Sequence, residues 1–198
     1  MKKFLKNWWE VFAFAGVLLI LRLFILSPII VDGHSMDPTL KNGERMVMVK
    51  IAKIDRFDIV VSGEPADPGK NIIKRVIGMP GDTIKFDNDQ LYINGKKTAE
   101  PYLDEYKKIW KKDKLKKTYS YNAYFQQIAK ERRAFTTAFD GNTVFEVKVP
   151  ANHYFLMGDD RLISKDSRDP EVGPLDQSEI KGETKLAFWP LNKIRFVN

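Results

Sequence analysis

Residues 11–31 form an apolar run of 21 residues interrupted by a single charge, Arg22. A helix rises 1.5 Å per residue, so a run of this length just crosses a hydrocarbon core of about 30 Å. The sequence therefore predicts a membrane span over about residues 5–26, with everything after it folding outside the bilayer core. Lys2, Lys3 and Lys6 precede the run and Trp8 and Trp9 open it, the order of a cytoplasmic basic flank followed by an interfacial aromatic belt. That order predicts an extracytoplasmic body. Arg22 opposes the reading, since a charge at mid-bilayer costs about 2.5–3.5 kcal/mol, but near the outer end of the helix its head can snorkel to the interface. Three other readings of the run stay open: a cleaved secretion signal, a buried core helix and an amphipathic surface helix. Against the first, Ala13, Ala15 and Gly16 come too early for a cleavage site; against the second, residues 11–21 carry no polar face.

After Pro28 the pattern changes to short β-rich runs broken by Gly, Pro, Asn and Asp, at 29–31, 46–50, 57–61, 72–77, 83–86, 91–93, 144–149, 154–157, 185–189 and 194–197. So many short strands predict a mostly β body. Asn94-Gly95 is a hairpin signal of the type I′ kind, and Met79-Pro80-Gly81-Asp82 a tight turn. Residues 102–133 differ. Tyr121, Tyr124, Phe125, Ile128 and Arg132 fall at helical spacing, and seven lysines crowd residues 107–117. The expected organisation is an anchor at 1–27, a β domain in two parts at 28–101 and 144–198, and a small inserted α+β domain at 102–143.

Thirty-three Lys and Arg against 26 Asp and Glu give a net charge of +7, which admits a polyanionic partner such as nucleic acid, anionic lipid or a wall polymer. Nucleic acid is disfavoured because the tyrosines near the lysine cluster lie on a helix face and not on a strand platform. The lysine cluster itself reads first as a solvated face. The chain has no cysteine and only His34 and His153, which removes disulfides, thiolate catalysis and the common zinc sites. No metal and no cofactor are expected.

Three segments carry chemistry. Ser35 stands between Gly33 and Pro38 at the end of an apolar strand, an exposed nucleophile or an ordinary turn serine. Lys74 lies among Ile72, Ile73, Val76 and Ile77; burial there would favour the neutral amine, able to take a proton from a hydroxyl, whereas a strand-edge lysine would stay charged in solvent. The third segment, residues 157–168, alternates acids, arginines and hydroxyls that can satisfy one another as a polar network.

Taken together, Gly33-x-Ser35-Met36-x-Pro38-Thr39-Leu40, Lys74-Arg75-Val76-Ile77-Gly78-x-Pro80-Gly81-Asp82 and Gly158-Asp159-x-Arg161-x-x-Ser164-x-Asp166-Ser167-Arg168 behind an apolar N-terminal run resemble the bacterial type I signal peptidases, membrane-anchored serine/lysine endopeptidases, in their compact Gram-positive form. The resemblance runs over nearly the whole chain. It implies Ser35 as nucleophile, Lys74 as general base, Ser164 as the hydroxyl that orients the lysine amine, and Asp166 and Arg168 as a pair that holds the loop. It also implies secretory preproteins as substrates, cleaved after small residues in an alanine-x-alanine pattern, at a cell membrane that the chain crosses once with its N-terminus cytoplasmic.

Ile29 and Val31 on one strand face, with Met36 and Ile73 beside the two catalytic positions, are the expected pocket residues; core packing is the other reading of all four. Two departures from the family pattern stand out. Some members carry a hydroxyl where this chain has Gly33, and the usual Gly-Asp-Asn-Arg reads Gly158-Asp159-Asp160-Arg161, with the extra charge expected to be met by Arg161 or Arg168. The rival readings are a self-cleaving repressor, which would need a DNA-binding domain in place of the anchor, and a non-catalytic relative serving as an assembly factor for surface polymers.

Overall fold

A computed structural model describes residues 2–65 and 67–197. Helix α1, Lys2–Ile20, passes through one π-helical turn, Leu21–Ile25, directly into strand β1, Leu26–Ile30. Residues Trp8–Ile25 have a mean hydropathy of 1.9 and none of them is buried by the rest of the chain, so the segment fits a single membrane span. Lys50 fastens its end. The Lys50 amide donates to the Ile25 carbonyl at 2.8 Å and Nζ donates to the Leu23 carbonyl at 2.8 Å, satisfying groups that a helix terminus leaves open.

Strands β2 (Arg45–Val49), β3 (Ile59–Glu64), β4 (Asp67–Gly78), β9 (His153–Met157), β10 (Leu175–Asp176), β11 (Ile180–Trp189) and β12 (Arg195–Phe196) join β1 in one sheet of order β1-β2-β11-β3-β4-β9-β10, with β12 on β11. A second sheet, β7-β6-β5-β8, comprises β5 (Thr83–Asp87), β6 (Gln90–Ile93), β7 (Lys96–Thr98) and β8 (Val144–Lys148). The pairings are antiparallel throughout. Each of the ten expected runs lies on a strand. The short β10 had no sequence signal, because two residues are too few to show alternation. Asn94 and Gly95 take φ of 51° and 76°, the two left-handed positions that a type I′ hairpin requires.

Burial alternates as the pleat demands in β5 and β6, whose inward residues Ile84, Phe86, Leu91 and Ile93 pack with Ile77 and Phe155 between the two sheets. On the large sheet and the turn after β11, by contrast, Ile30, Trp189, Leu191, Ile194 and Phe196 stay exposed. Ile30 pairs with Arg45, which pairs in turn with Trp189, so these side chains form a row across three strands. An apolar face of that kind is the mark of a membrane or protein contact.

Residues 102–143 hold helices α2, Asp104–Asp113, and α3, Ala123–Glu131, and leave from and return to the second sheet. Asn122 caps α3, its side chain accepting from the Tyr124 and Phe125 amides at 3.0 and 3.2 Å. Trp110 Nε1 donates to the Ala129 carbonyl at 3.2 Å and locks the helices together. The lysine cluster divides. Lys107 reaches Glu100 at 3.2 Å and Lys114 lies 3.5 Å from the Trp110 ring centre, whereas Lys108, Lys111, Lys112, Lys116 and Lys117 are exposed.

Glu100, buried at the root of this segment, also accepts a hydrogen bond from Arg161, whose side chain is fully buried. Burial raises the Glu100 pKa, but Arg161 and Lys107 outweigh it and hold the carboxyl below its usual range. Glu100→Gln should therefore destabilise the chain by about 3–5 kcal/mol, because it leaves Arg161 as an uncompensated buried charge. Denaturant unfolding in detergent, followed by tryptophan fluorescence, measures this; a loss under 1 kcal/mol would mean that the pair does not tie the helical segment to the sheets.

Candidate active site

Ser35 sits in the turn that follows β1. Its carbonyl accepts from the Asp160 amide at 3.0 Å, so the third segment holds the serine by its backbone. Lys74 projects from β4, between β3 and β9, and its Nζ donates to Ser35 Oγ at 2.9 Å. The lysine is 5% exposed. Burial pushes its pKa down to about 8; Asp166 and Glu64 pull it up, and Arg168 works with burial. With that value about a tenth of the molecules carry a neutral amine at pH 7 and about half at pH 8, and the neutral form can accept the proton of the hydroxyl it touches.

The next residue on β4 points the other way. Arg75 grips Asp159 with two bonds, Nε to Oδ1 at 2.8 Å and Nη2 to Oδ2 at 2.7 Å, with both side chains fully buried. Asp159 also accepts from Thr39 Oγ1 at 2.5 Å, and Arg75 donates to the Phe57 carbonyl at 2.8 Å. The strand, the serine turn and the third segment thus meet at one carboxylate. Sequence reasoning gave Arg75 and Asp159 no role. The signal was present: two adjacent cations in a strand covered on both faces must point to opposite sides, and each needs its own explanation.

Asp166 and Arg168 form the expected pair, with Nε and Nη2 each 2.8 Å from a carboxylate oxygen, and Asp166 also accepts the Gly158 amide at 3.0 Å. Burial opposes ionisation of Asp166, yet Arg168 and the Gly158 amide hold its pKa below the usual value. Ser164 is brought to the site but not to the expected bond: its Oγ is buried and has no hydrogen-bond partner among the described residues. Position 158 must be glycine, because a Cβ there would lie 2.2 Å from Ser164 Oγ and 2.4 Å from the Ser35 carbonyl oxygen. Gly33 has φ of +88°, so a hydroxyl-bearing residue in its place meets backbone strain rather than crowding.

Asp160 is met differently from the expectation. Neither Arg161 nor Arg168 bonds it: Arg161 is committed to Glu100, Thr136 and the Gly158 carbonyl, and Arg168 to Asp166. Tyr119 instead donates at 2.6 Å and Tyr106 at 3.3 Å, both from the helical segment, and the Leu162 amide donates at 3.3 Å. Burial above all, with the nearby Asp37 adding to it, pushes the Asp160 pKa up to about 7 against the bonds from Tyr119 and Tyr106 and the Leu162 amide.

A cavity of about 480 Å³ opens beside the pair, lined by Ile29, Val31, Met36 and Ile73 together with Ser35 and Lys74. All four expected pocket residues face it, and all four also pack in the core cluster around Leu40 and Met46, so both readings of them hold. The cavity lies between residues of β1 and β4.

The class that fold and site define is a serine peptidase attached to a membrane. A family model described as signal peptidase, peptidase S26, matches residues 5–189, and the chain belongs to that family. Signal peptidase I of Streptococcus pneumoniae is 49% identical over 200 residues, covering 98% of this chain and 97% of its own; signal peptidase I S of Bacillus subtilis is 41% identical over 205 residues, covering 100% and 96%. A solved signal peptidase I from Enterococcus faecalis V583 superposes with a TM-score of 0.48 at 28% identity, over 67% of this chain and 97% of its own.

The raised pKa of Asp160 has a measurable signature. Its folded pKa lies above the ordinary carboxylate value of about 4, so between about pH 4 and pH 7 the native state keeps a proton that the unfolded chain has lost. Stability from this group is complete below pH 4 and drains as pH rises, by at most about 1.4 kcal/mol per pH unit. Asp160→Asn should remove that dependence, so its advantage over the parent chain grows from pH 4 to pH 7 and is flat above. Thermal unfolding of both proteins across that range tests the sign; an advantage that shrinks with pH would show Asp160 to be ionised.

Proposed function

We propose that the chain removes signal peptides from secretory preproteins by serine/lysine catalysis at the outer surface of the membrane. The observation that carries this reading is the buried Lys74 amine 2.9 Å from Ser35 Oγ at the edge of a cleft. Ser35 Oγ attacks the scissile carbonyl while neutral Lys74 takes the hydroxyl proton. The oxyanion accepts from the Ser35 amide, and the ammonium of Lys74 then passes its proton to the departing amine as the C–N bond breaks. Water, deprotonated by Lys74, hydrolyses the ester and restores the serine. Asp166 and Arg168 fix the loop, and Ser164 stands ready to bond the amine once substrate closes the cleft.

The substrate adds as an extended strand along β1, which presents alternate side chains to the wall formed by Ile29, Val31, Met36 and Ile73. Side chains one and three before the cut then face the same wall, and its shallow depth selects small ones, as in alanine-x-alanine sites. The basic N-terminal flank puts the N-terminus in the cytoplasm, and the exposed row from Ile30 to Trp189 lies against the outer leaflet.

Ser35→Ala and Lys74→Ala should each lower kcat by on the order of 10⁴ or more on a preprotein in detergent. Lys74→Arg should do the same, because a guanidinium stays protonated at any workable pH. For the parent chain, kcat/KM should rise with pH as Lys74 loses its proton and level off above about 8. Sequencing the product's new N-terminus identifies the cut. Activity retained in Ser35→Ala, or a rate falling steadily from pH 6 to 9, would overturn the assignment.

A further inference from the structure

A second cavity, of about 320 Å³, lies on the other side of Ser164, between α3 and residues 161–169. Lys165 lines both cavities. Ser164, whose Oγ is buried and unpartnered, belongs to the second. Because Ser164 Oγ and the Ser35 carbonyl oxygen both crowd the space above Gly158, the second cavity begins beside the serine turn. His34, which precedes Ser35, has its ring 4.8 Å from that of Tyr121 and 6.4 Å from that of Phe125, and Phe125 is part of the second cavity's wall. The two hollows share Lys165 as a wall, with Ser35 and Lys74 lining the first and Ser164 the second.

An endopeptidase must accommodate chain on both sides of the bond it cuts. The first cavity takes the residues before the cut, and the helical segment supplies the wall on the far side. The chemistry of that wall is specific. Tyr124 and Phe139 are 69% and 62% exposed along it. Of its cations, Arg161 is held by Glu100, Arg168 by Asp166 and Lys165 by Glu171, whereas the Arg132 side chain donates only to Thr137 Oγ1, at 3.2 Å, and forms no ion pair among the described residues. Asp169 is the one carboxylate in the lining.

We propose that this second cavity binds the first few residues of the chain that follow the cut, and that Arg132 favours an acidic side chain among them. The inference rests on the peptidase reading of Ser35 and Lys74 and extends it to the released side of the substrate. It gives residues 102–143 a part in substrate choice, through α3 and its C-terminal cap.

The test uses the full chain in detergent and synthetic peptides with identical residues before the cut. One peptide ends a single residue after it; the others continue for four residues, carrying Asp or Lys at each position in turn. The parent chain should prefer Asp over Lys at one or more of these positions by about threefold to fivefold in kcat/KM, the scale of one partly exposed charge pair. Arg132→Lys should keep the preference, Arg132→Gln should bring the ratio towards one, and Arg132→Glu should invert it. Each ratio is taken within one enzyme preparation, so loss of folded protein cancels. An Asp to Lys ratio that is the same in all four proteins, or equal to one in the parent chain, would overturn the proposal. Failure of the parent chain to cut even the shortest peptide would overturn instead the reading on which it rests.

Discussion

The site depends on an ion pair that touches no reacting atom. Arg75 and Asp159 are both fully buried and joined by two bonds. Taking two charges out of water costs several kcal/mol per ion, so the pair is a poor source of net stability. Its consequence is geometric. Successive side chains of a strand point to opposite faces, and once Arg75 is fixed towards Asp159, Lys74 has only the other face to occupy. Thr39 joins the same carboxylate and brings the serine turn to a set distance from β4. The 2.9 Å between Lys74 and Ser35 follows from these constraints.

Burial lowers the pKa of the amine, and a second pair decides how far that lowering is opposed. Asp166 is the foremost group that raises the Lys74 pKa, and a carboxylate bonded directly to the amine would hold it protonated. Arg168 prevents this by occupying both carboxylate oxygens, and it adds a positive charge that disfavours the ammonium. Against its burial, Arg168 above all, then the Gly158 amide and last the charge of Lys74 keep Asp166 ionised. Burial can then dominate at Lys74, and a base with a value near 8 results.

Much of this was legible in the sequence where the signal is local. The β runs, the Asn94-Gly95 hairpin and the apolar N-terminal helix each depend on spacing within a few residues, and the structure has them where expected; the three motif segments come together around Ser35 and Lys74. Lys74 stood out because a lysine amid Ile72, Ile73, Val76 and Ile77 breaks a hydrophobic pattern. What the sequence concealed depends on partners far along the chain. Arg75 meets Asp159 across 84 residues, and Asp160 meets Tyr119 across 41. The expectation that Arg161 or Arg168 would answer Asp160 failed because both arginines were already committed to other carboxylates, Glu100 and Asp166, and a linear pattern does not show which of several neighbours a charge will choose.

Asp159 and Asp160 are adjacent, yet they bind the serine turn to different parts of the molecule. Asp159 faces the large sheet through Arg75 and reaches the turn at Thr39; the Asp160 amide holds the Ser35 carbonyl while its side chain reaches Tyr106 and Tyr119 in the helical segment. A displacement of that segment would be felt at Asp160 first and at the Ser35 carbonyl next, without passing through the sheet. Within residues 102–143, Tyr106 and Tyr119 are constrained where the exposed lysines of α2 are not: removing either hydroxyl leaves a buried carboxyl short of a donor beside the serine turn. The helical segment therefore acts as a second support for the serine turn, and that support runs through two tyrosines rather than through surface charge.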